Sequence, residues 1–228
     1  MVALITLCHN LQQLSTDAAG ARSLKLPMAV ARKSLPKDTD STSLTQASQQ
    51  LKEGDVVFRA GRSWLTNMAE QFADEAVRYS HVGVVVKAGD ELKVVHASIE
   101  PDEGQKVVAD PLDVFLKKGK GTQAAVYRLK STDAETQSAI ATSAKAYARK
   151  AIPFDPGFDL TTSDRVYCSE LVWRIYLEAG IDLSDYGLEQ FDFPFSGKYI
   201  TPDSLSASAS LTPIYYWPPL GQDQALRH

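Results

Sequence analysis

The sequence has no long hydrophobic segment and no excess of positive charge. It has 228 residues, with 24 Lys and Arg against 28 Asp and Glu, which gives a net charge of −4. A nucleic-acid-binding surface needs a basic stripe, so we expect no nucleic-acid partner. No apolar run approaches the roughly 18 residues that cross a bilayer, so we expect no transmembrane segment.

Cysteine is also scarce. The only two cysteines, Cys8 and Cys168, are 160 positions apart, and neither belongs to a CxxC motif. A disulfide framework or a structural zinc site needs several closely spaced ligands. The sequence therefore predicts neither a cofactor nor a metal, although a His-His-Cys zinc site with an open position is an alternative.

The N-terminal segment does not match a standard export signal. Val2 to Leu7 is apolar, but it is short, and the first basic residue is Arg22. A secretory signal needs a basic start and a longer apolar core, so we expect the chain to be made in the cytoplasm without such a signal. The polar stretch from Lys37 to Gln50 cannot bury a core. We therefore interpret residues 1–50 as a weakly ordered leader or linker and residues 51–228 as the folded domain.

The pattern of the domain predicts an α+β fold. Apolar residues at helical spacing indicate helices at 64–76, 133–150 and from Cys168 to about Gly180. Runs rich in β-branched residues indicate strands, and a short turn joins two of these runs in a hairpin. The predicted strands are at 56–58, 81–87, 92–98, 124–129 and 211–217.

Three side chains stand out as candidates for chemistry. His81 and His96 lie on the two strands of the predicted hairpin, and Cys168 lies where a helix begins. The N-terminus of a helix favours a thiolate, and a histidine can accept the proton of the thiol. A third group must orient that histidine. This group can be His96, or one of Asp155, Asp159 and Asp164 in the loop before the helix. A structural Cys168, buried as an ordinary apolar side chain, is the alternative.

The order of several short motifs resembles that of a known family. GDVVF (54–58), YSHVGVVV (79–86), VVHAS (94–98), IPFDPGFD (152–159), YCSELVW (167–173) and YITPDSL (199–205) occur in this order. The sequence is similar to the permuted papain-like hydrolases, the YiiX/YebB-like branch of the NlpC-type cysteine peptidases, which are related to lecithin retinol acyltransferase. The resemblance covers about residues 51–206 and implies a small antiparallel sheet packed against helices.

The resemblance also implies roles for individual residues. It assigns Cys168 as the nucleophile, His81 as the general base and His96 as the third member of the triad, where YiiX-like members often carry glutamate. It places Glu170 as an anchor of the helix N-terminus. Tyr79, Ser80, Tyr167, Ser169 and Asp155 are the candidates for substrate contacts. For the aromatic Tyr79 and Tyr167, packing against the core is the alternative.

The function implied by the resemblance is hydrolysis of an amide bond, with peptidoglycan stem peptides as the expected substrate. Since no standard signal is seen, we expect an antibacterial effector that is carried by a dedicated secretion system, such as type VI, and neutralised by an immunity protein. A lipid-directed acyl hydrolase or acyltransferase, with the aromatic segment 191–200 shaping its pocket, is one alternative. A non-catalytic binding module is the other.

Overall fold

The computed structural model describes residues 48–60, 79–118, 124–185, 187–191 and 197–217. The chain divides into two compact units, Met1–Pro36 and Lys37–His228, and all described residues belong to the second. The predicted helix at 64–76, Cys8 and most of the predicted leader lie outside the described residues. Within the described part, no helix is long and apolar enough to span a bilayer.

A six-stranded antiparallel sheet forms the centre of the domain, in the order β4-β3-β2-β1-β5-β8. Two further strands, β6 and β7, form a separate hairpin. The strands are β1 (Val56–Arg59), β2 (His81–Ala88), β3 (Glu91–Ala97), β4 (Val107–Pro111), β5 (Ala124–Leu129), β6 (Glu189–Phe191), β7 (Gly197–Tyr199) and β8 (Leu211–Trp217).

The helices are α1 (Leu112–Lys117), α2 (Ala134–Lys150), α3 (Cys168–Glu178) and α4 (Pro202–Ser206), and a 3-10 turn spans Pro101–Glu103. The predicted strands and the predicted helices at 133–150 and 168–180 are therefore confirmed to within a few residues. Asp133 caps α2 because its side chain accepts a hydrogen bond from the backbone N–H of Thr136 at 2.7 Å. Gly180, with a φ of 80°, follows the end of α3 in the left-handed conformation that favours glycine.

The central sheet is buried on both faces, which explains why its strands are apolar throughout rather than alternating. On one face, Val56, Phe58 and Val84 belong to the cluster that contains α3. On the other face, Val57 and Val85 pack with Phe115 of α1. Because successive side chains of a strand point to opposite faces, Arg59 shares the α1 face with Val57.

Five short strands and helices were not predicted from the sequence: β4, α1, the two strands of the β6–β7 hairpin, and α4. Strand β4 lies at the edge of the sheet and carries polar residues at partly buried positions, so its sequence shows no apolar run. Helix α1 has only six residues, too few to show a helical period. Tertiary contacts, rather than local sequence, stabilise elements of this length.

Candidate active site

Cys168 is the first residue of α3 and has a free thiol. Its side chain is only 4% exposed. The helix begins here because Glu170 reaches back, its Oε2 accepting a hydrogen bond from the backbone N–H of Tyr167 at 3.2 Å. The interpretation of Glu170 as an anchor of the helix N-terminus is confirmed. In the first turn of the helix, the backbone N–H of Ser169 interacts with the thiol.

The electrostatic surroundings of the Cys168 thiol differ from the sequence prediction. Burial raises the pKa of Cys168, although the backbone N–H groups of Ser169 and Val82 and the charge of Arg59 act to lower it. The helix N-terminus acts in the predicted direction, through the backbone N–H of Ser169, but it does not produce a net lowering of the pKa. Desolvation of the anion outweighs the helix dipole at this buried position. The resting residue is a neutral thiol.

The first residues of strand β2 link Cys168 to the histidines. Paired residues of β2 and β3 begin at Val84 and Val95, so His81 and Val82 lie beyond the β2–β3 ladder while they remain paired with β1. The backbone N–H of Val82 thereby interacts with the sulfur of Cys168. The thiol thus lies against the residue that directly follows His81.

The two strand histidines contact each other directly. Nε2 of His81 lies 2.9 Å from Nδ1 of His96, and both rings are buried. Continuing the register of β2 and β3 places His96 opposite Gly83. A Cβ at Gly83 would lie 3.0 Å from Cβ of His96 and 2.5 Å from Cγ1 of Val94. Because Gly83 has no side chain, there is space for the rings of His81 and His96 to contact each other.

Asp110 on strand β4 completes the chain of hydrogen bonds. Nε2 of His96 lies 2.9 Å from Oδ2 of Asp110, and the ammonium of Lys118 lies 2.7 Å from the same oxygen. A carboxylate only accepts hydrogen bonds, so we assign the proton of His96 to Nε2. Nδ1 of His96 is then an acceptor, and His81 must donate from Nε2. This assignment leaves Nδ1 of His81 unprotonated, so this nitrogen can accept a proton as a general base.

Both histidines are neutral in the resting protein. Burial lowers the pKa of His81 well below its usual range, and the positive charges of Arg59 and Lys118 lower it further. Burial also lowers the pKa of His96, although its hydrogen bond to Asp110 acts in the opposite direction. A neutral His81 can accept a proton at neutral pH.

Further charges extend this hydrogen-bond chain away from the thiol. Lys118 also pairs with Glu103, and Glu103 accepts a hydrogen bond from the hydroxyl of Ser98. Lys118 therefore lies between the carboxylates of Asp110 and Glu103. Neither Asp110 nor Lys118 was predicted from the sequence as part of the site.

The predicted orienting aspartates lie elsewhere. Asp155 is buried and accepts hydrogen bonds from the backbone N–H groups of Gly157 at 2.9 Å and Asp159 at 2.8 Å. Asp159 itself accepts from Thr161. Asp164, which is exposed, pairs with the adjacent Arg165 at 3.2 Å. These aspartates shape the loop before α3, and the carboxylate that contacts His96 belongs to Asp110.

The other predicted substrate contacts differ in their burial and in their partners. Ser169 is buried, with its hydroxyl 3.9 Å from the Cys168 sulfur. The hydroxyl of Tyr167 accepts a hydrogen bond from the backbone N–H of Ile200 at 3.1 Å, which ties α3 to the segment before α4. Tyr79 is buried, with its ring 5.2 Å from that of Phe58. Ser80 is partly buried beside the end of β1. Their role in substrate binding stays a prediction.

One possible metal-ligand group occurs among the residues described. His96, Glu103 and Asp110 place potential ligand atoms within 4.8 Å of one another. Cys168 and His81 are not part of this group, so the geometry does not favour the His-His-Cys zinc site. The ammonium of Lys118 contacts both carboxylates of the group. A divalent ion would have to displace Lys118 before it could bind there.

Comparisons with known proteins agree with this architecture. The family model described as "Permuted papain-like amidase enzyme, YaeF/YiiX, C92 family" matches residues 50–215. YiiX of Escherichia coli (strain K12) is 33% identical over 131 residues, which are 57% of this chain and 59% of that protein. The chain therefore matches about three fifths of the length of this relative.

A solved structure is similar to the fold described above. The crystal structure described as metalloprotein YiiX from Escherichia coli O157:H7 has a TM-score of 0.59 and 25% sequence identity, and the match covers 74% of this chain and 99% of that one. The predicted α+β, permuted papain-like fold and the predicted resemblance are both confirmed.

Proposed function

Because the chain belongs to the family of permuted papain-like amidases that includes YaeF and YiiX, we propose that it hydrolyses an amide bond with Cys168 as the nucleophile. The observation that carries this proposal is the chain of hydrogen bonds from His81 through His96 to Asp110. This chain begins one residue before Val82, whose backbone N–H interacts with the sulfur of Cys168. It leaves an unprotonated Nδ1 on His81, which is the property that a general base requires.

The reaction begins with proton transfer from the Cys168 thiol to Nδ1 of His81. The thiolate attacks the carbonyl carbon, and the N–H of Cys168 at the helix N-terminus helps to hold the oxyanion. His81 then donates its proton to the leaving amine, the C–N bond breaks and a thioester forms. His81 next takes a proton from water, the resulting hydroxide attacks the thioester, and the carboxylic acid and free thiol are released.

His96 and Asp110 support the charged intermediate. When His81 is protonated, its Nε2–H continues to donate to His96, and the Asp110 carboxylate stabilises the positive charge from the far side. His96 is thus an orienting residue that is itself hydrogen-bonded to the carboxylate of Asp110. The departure from the glutamate that is frequent in YiiX-like members is thus compensated by Asp110 in the proposed triad.

The proposed substrate is the peptide stem of peptidoglycan. The test is incubation of purified peptidoglycan with the wild-type chain and with Cys168→Ala, followed by mass spectrometry of the released fragments. We expect cleavage at an amide bond by the wild type and by Ser138→Ala, an exposed α2 control, and none by Cys168→Ala. Phospholipid and thioester substrates are tested in parallel, and turnover of these alone would favour the acyl hydrolase or acyltransferase instead.

The proposed biological role is that of an exported antibacterial effector that requires an immunity protein. Expression in a bacterium with and without an added signal peptide tests this role. We expect growth arrest only when the chain carries the signal and an intact Cys168. Equal growth of both cultures, with both proteins detected in the intended compartments, would contradict the effector role without contradicting amide hydrolysis.

A metal centre is the competing function for the same residues, since the Escherichia coli O157:H7 relative is described as a metalloprotein. In this chain, Lys118 contacts both Asp110 and Glu103, the two carboxylates of the possible ligand group. A cation in this position already neutralises the carboxylates that a divalent ion would need. The residues present therefore do not fit a metal beside Lys118, and the proposed reaction uses none.

A further inference from the structure

Arg59 is a buried cation whose hydrogen-bonding capacity is largely unused. It ends strand β1 directly opposite His81 and is only 7% exposed. Among the described residues, neither its Nε nor its Nη1 has a hydrogen-bond partner, and both atoms are buried. Buried guanidinium groups are ordinarily paired with a carboxylate, because an unpaired charge loses its hydration without compensation. An arginine in this condition therefore requires an explanation.

The guanidinium of Arg59 lies against an aromatic ring. Its guanidinium carbon lies 5.0 Å from the centroid of the Phe115 ring, a distance typical of a cation–π contact. The same ring stacks on His81, with centroids 5.6 Å apart and an angle of 30° between the planes. The Phe115 ring thus contacts both the guanidinium of Arg59 and the imidazole of His81.

Several charged groups act on this guanidinium. Burial lowers the pKa of Arg59 to about 10, which leaves it protonated at neutral pH, and Cys168 is the first of the acidic groups that oppose this effect, followed by Glu100 and Asp110. Asp110 is already occupied by His96 and Lys118. Lys118 also has Asp102 and Glu100 nearby. Of the acidic groups around Arg59, only Cys168 changes its charge during the proposed reaction.

We propose that Arg59 is the internal counter-ion of the anion that forms at Cys168. This inference rests on the proposed role of Cys168 as the nucleophile. The resting site has a neutral thiol, a neutral His81 and a guanidinium whose Nε and Nη1 have no hydrogen-bond partner among the described residues. Transfer of the thiol proton to Nδ1 of His81 creates an anion that this guanidinium can stabilise. Arg59 is a positioning residue here, because it acts by its charge on the sulfur and on the imidazole.

The effect of Arg59 on His81 has the opposite sign and assists the next step. A fixed positive charge opposite His81 stabilises the thiolate but destabilises the imidazolium. The imidazolium is therefore a stronger acid and gives its proton more readily to the leaving amine. In the first transfer the charge stabilises the thiolate and destabilises the imidazolium, so the two effects offset each other. In the second transfer it favours release of the proton from the imidazolium to the leaving amine.

The test is the pH dependence of Cys168 alkylation by iodoacetamide, followed by mass spectrometry of the peptide that contains Cys168 so that Cys8 does not interfere. We compare the wild type with Arg59→Met, Arg59→Lys and the exposed-arginine control Arg149→Met. We expect Arg59→Met to shift the alkylation profile to higher pH and to slow alkylation at pH 7 about tenfold, the effect of one pKa unit. Arg59→Lys, which keeps the charge, should lie closer to the wild type.

Circular dichroism and thermal melting establish that each variant is folded. If Arg59→Met does not fold, Arg59→Gln removes the charge while keeping a polar side chain, and the same shift is expected. A wild-type alkylation profile in a folded, uncharged Arg59 variant would overturn the inference.

This experiment separates the inference from the proposed function, because alkylation needs no substrate. An Arg59-dependent thiol profile in a protein that cleaves no amide would contradict the proposed function alone. Amide cleavage by the wild type together with an unchanged thiol profile in Arg59→Met would contradict the counter-ion role alone.

Discussion

Nε2 of His81 lies 2.9 Å from Nδ1 of His96, with the two ring planes nearly perpendicular at 87°, and the assigned tautomers make His81 the donor. His96 therefore orients His81. Which of the two histidines donates the hydrogen bond depends on the Asp110 carboxylate, which accepts a hydrogen bond from His96.

Replacement of Asp110 by asparagine tests this dependence. The amide group that Asp110→Asn introduces can donate to Nε2 of His96, which allows the tautomer of His96 to reverse and removes the acceptor that His81 needs. We expect kcat on the amide substrate to fall by about 10² or more, with a smaller change in stability. Asp113→Asn, three positions further on and paired with Lys117 on the surface, is the matched control. Equal activity of Asp110→Asn and Asp113→Asn would show that the tautomer does not matter.

Stability should depend on pH through the two buried histidines. The pKa values of His81 and His96 are lowered in the folded chain from the ordinary value of 6.5. Below this value the unfolded chain binds protons that the folded chain does not, so the free energy of unfolding should decrease as the pH falls below about 6.5. Above it, this contribution is fully retained. Urea unfolding at pH 8, 6.5 and 5 measures the decrease, and His81→Gln should reduce it. An identical pH dependence in that variant would contradict the burial of a neutral His81.

A side chain at position 83 should disturb the contact between His81 and His96. Its Cβ would lie 2.5 Å from Cγ1 of Val94 and 2.7 Å from the carbonyl oxygen of Val95. Such overpacking costs about 1–3 kcal/mol, and we expect Gly83→Ala to lose stability in this range and to lose activity as His96 shifts. Gly89→Asn is the control, because nothing lies within 4 Å of a Cβ at Gly89 and asparagine tolerates its φ of +65°. Thermal melting and kcat measurements distinguish the two variants, and a fully active Gly83→Ala would contradict the predicted clash.

We expect Lys118 to prevent the carboxylates of Asp110 and Glu103 from binding a metal ion. Removal of its ammonium in Lys118→Ala leaves Asp110 and Glu103 without the cation between them, beside the nitrogen of His96. We expect the purified variant to take up zinc or manganese, measured by elemental mass spectrometry after dialysis, and the wild type to take up at least tenfold less. Lys117→Ala, at an exposed neighbouring position, serves as the control. Stoichiometric metal in the wild type would show that Lys118 does not exclude it.

The sequence predicted the thiol and the histidines because their motifs are local. HVG and YCSE each occupy one segment, and the change from a loop to a helical period marks the place of Cys168. Asp110 could not be predicted in this way, because its link to His96 depends on strand pairing. His96 is paired with Val108, and Asp110 lies two residues further on the same face. The short polar sequence of β4 gave no sign of that register.

Arg59 illustrates a second limit of the sequence. It follows an apolar run in which a strand is easily recognised, yet an arginine at a strand end usually reaches solvent. Its burial results from the pairing of β1 with β2 and from the cover that α1 provides through Phe115. The raised pKa of the Cys168 thiol could not be predicted for a related reason, since burial depends on the packing of whole elements and not on the position of a residue within a helix.

The separation of Cys168 from His81 in the chain has a consequence for biogenesis. The two residues are 87 positions apart, and β3, β4, β5 and α2 all form from the chain between them. Long-range contacts of this kind form only after the intervening loop has closed. A nascent or partly folded chain therefore has a thiol without its base. Enzymatic activity should appear together with the completed tertiary structure, so the rate at which activity returns on refolding would report the docking of α3 on the sheet.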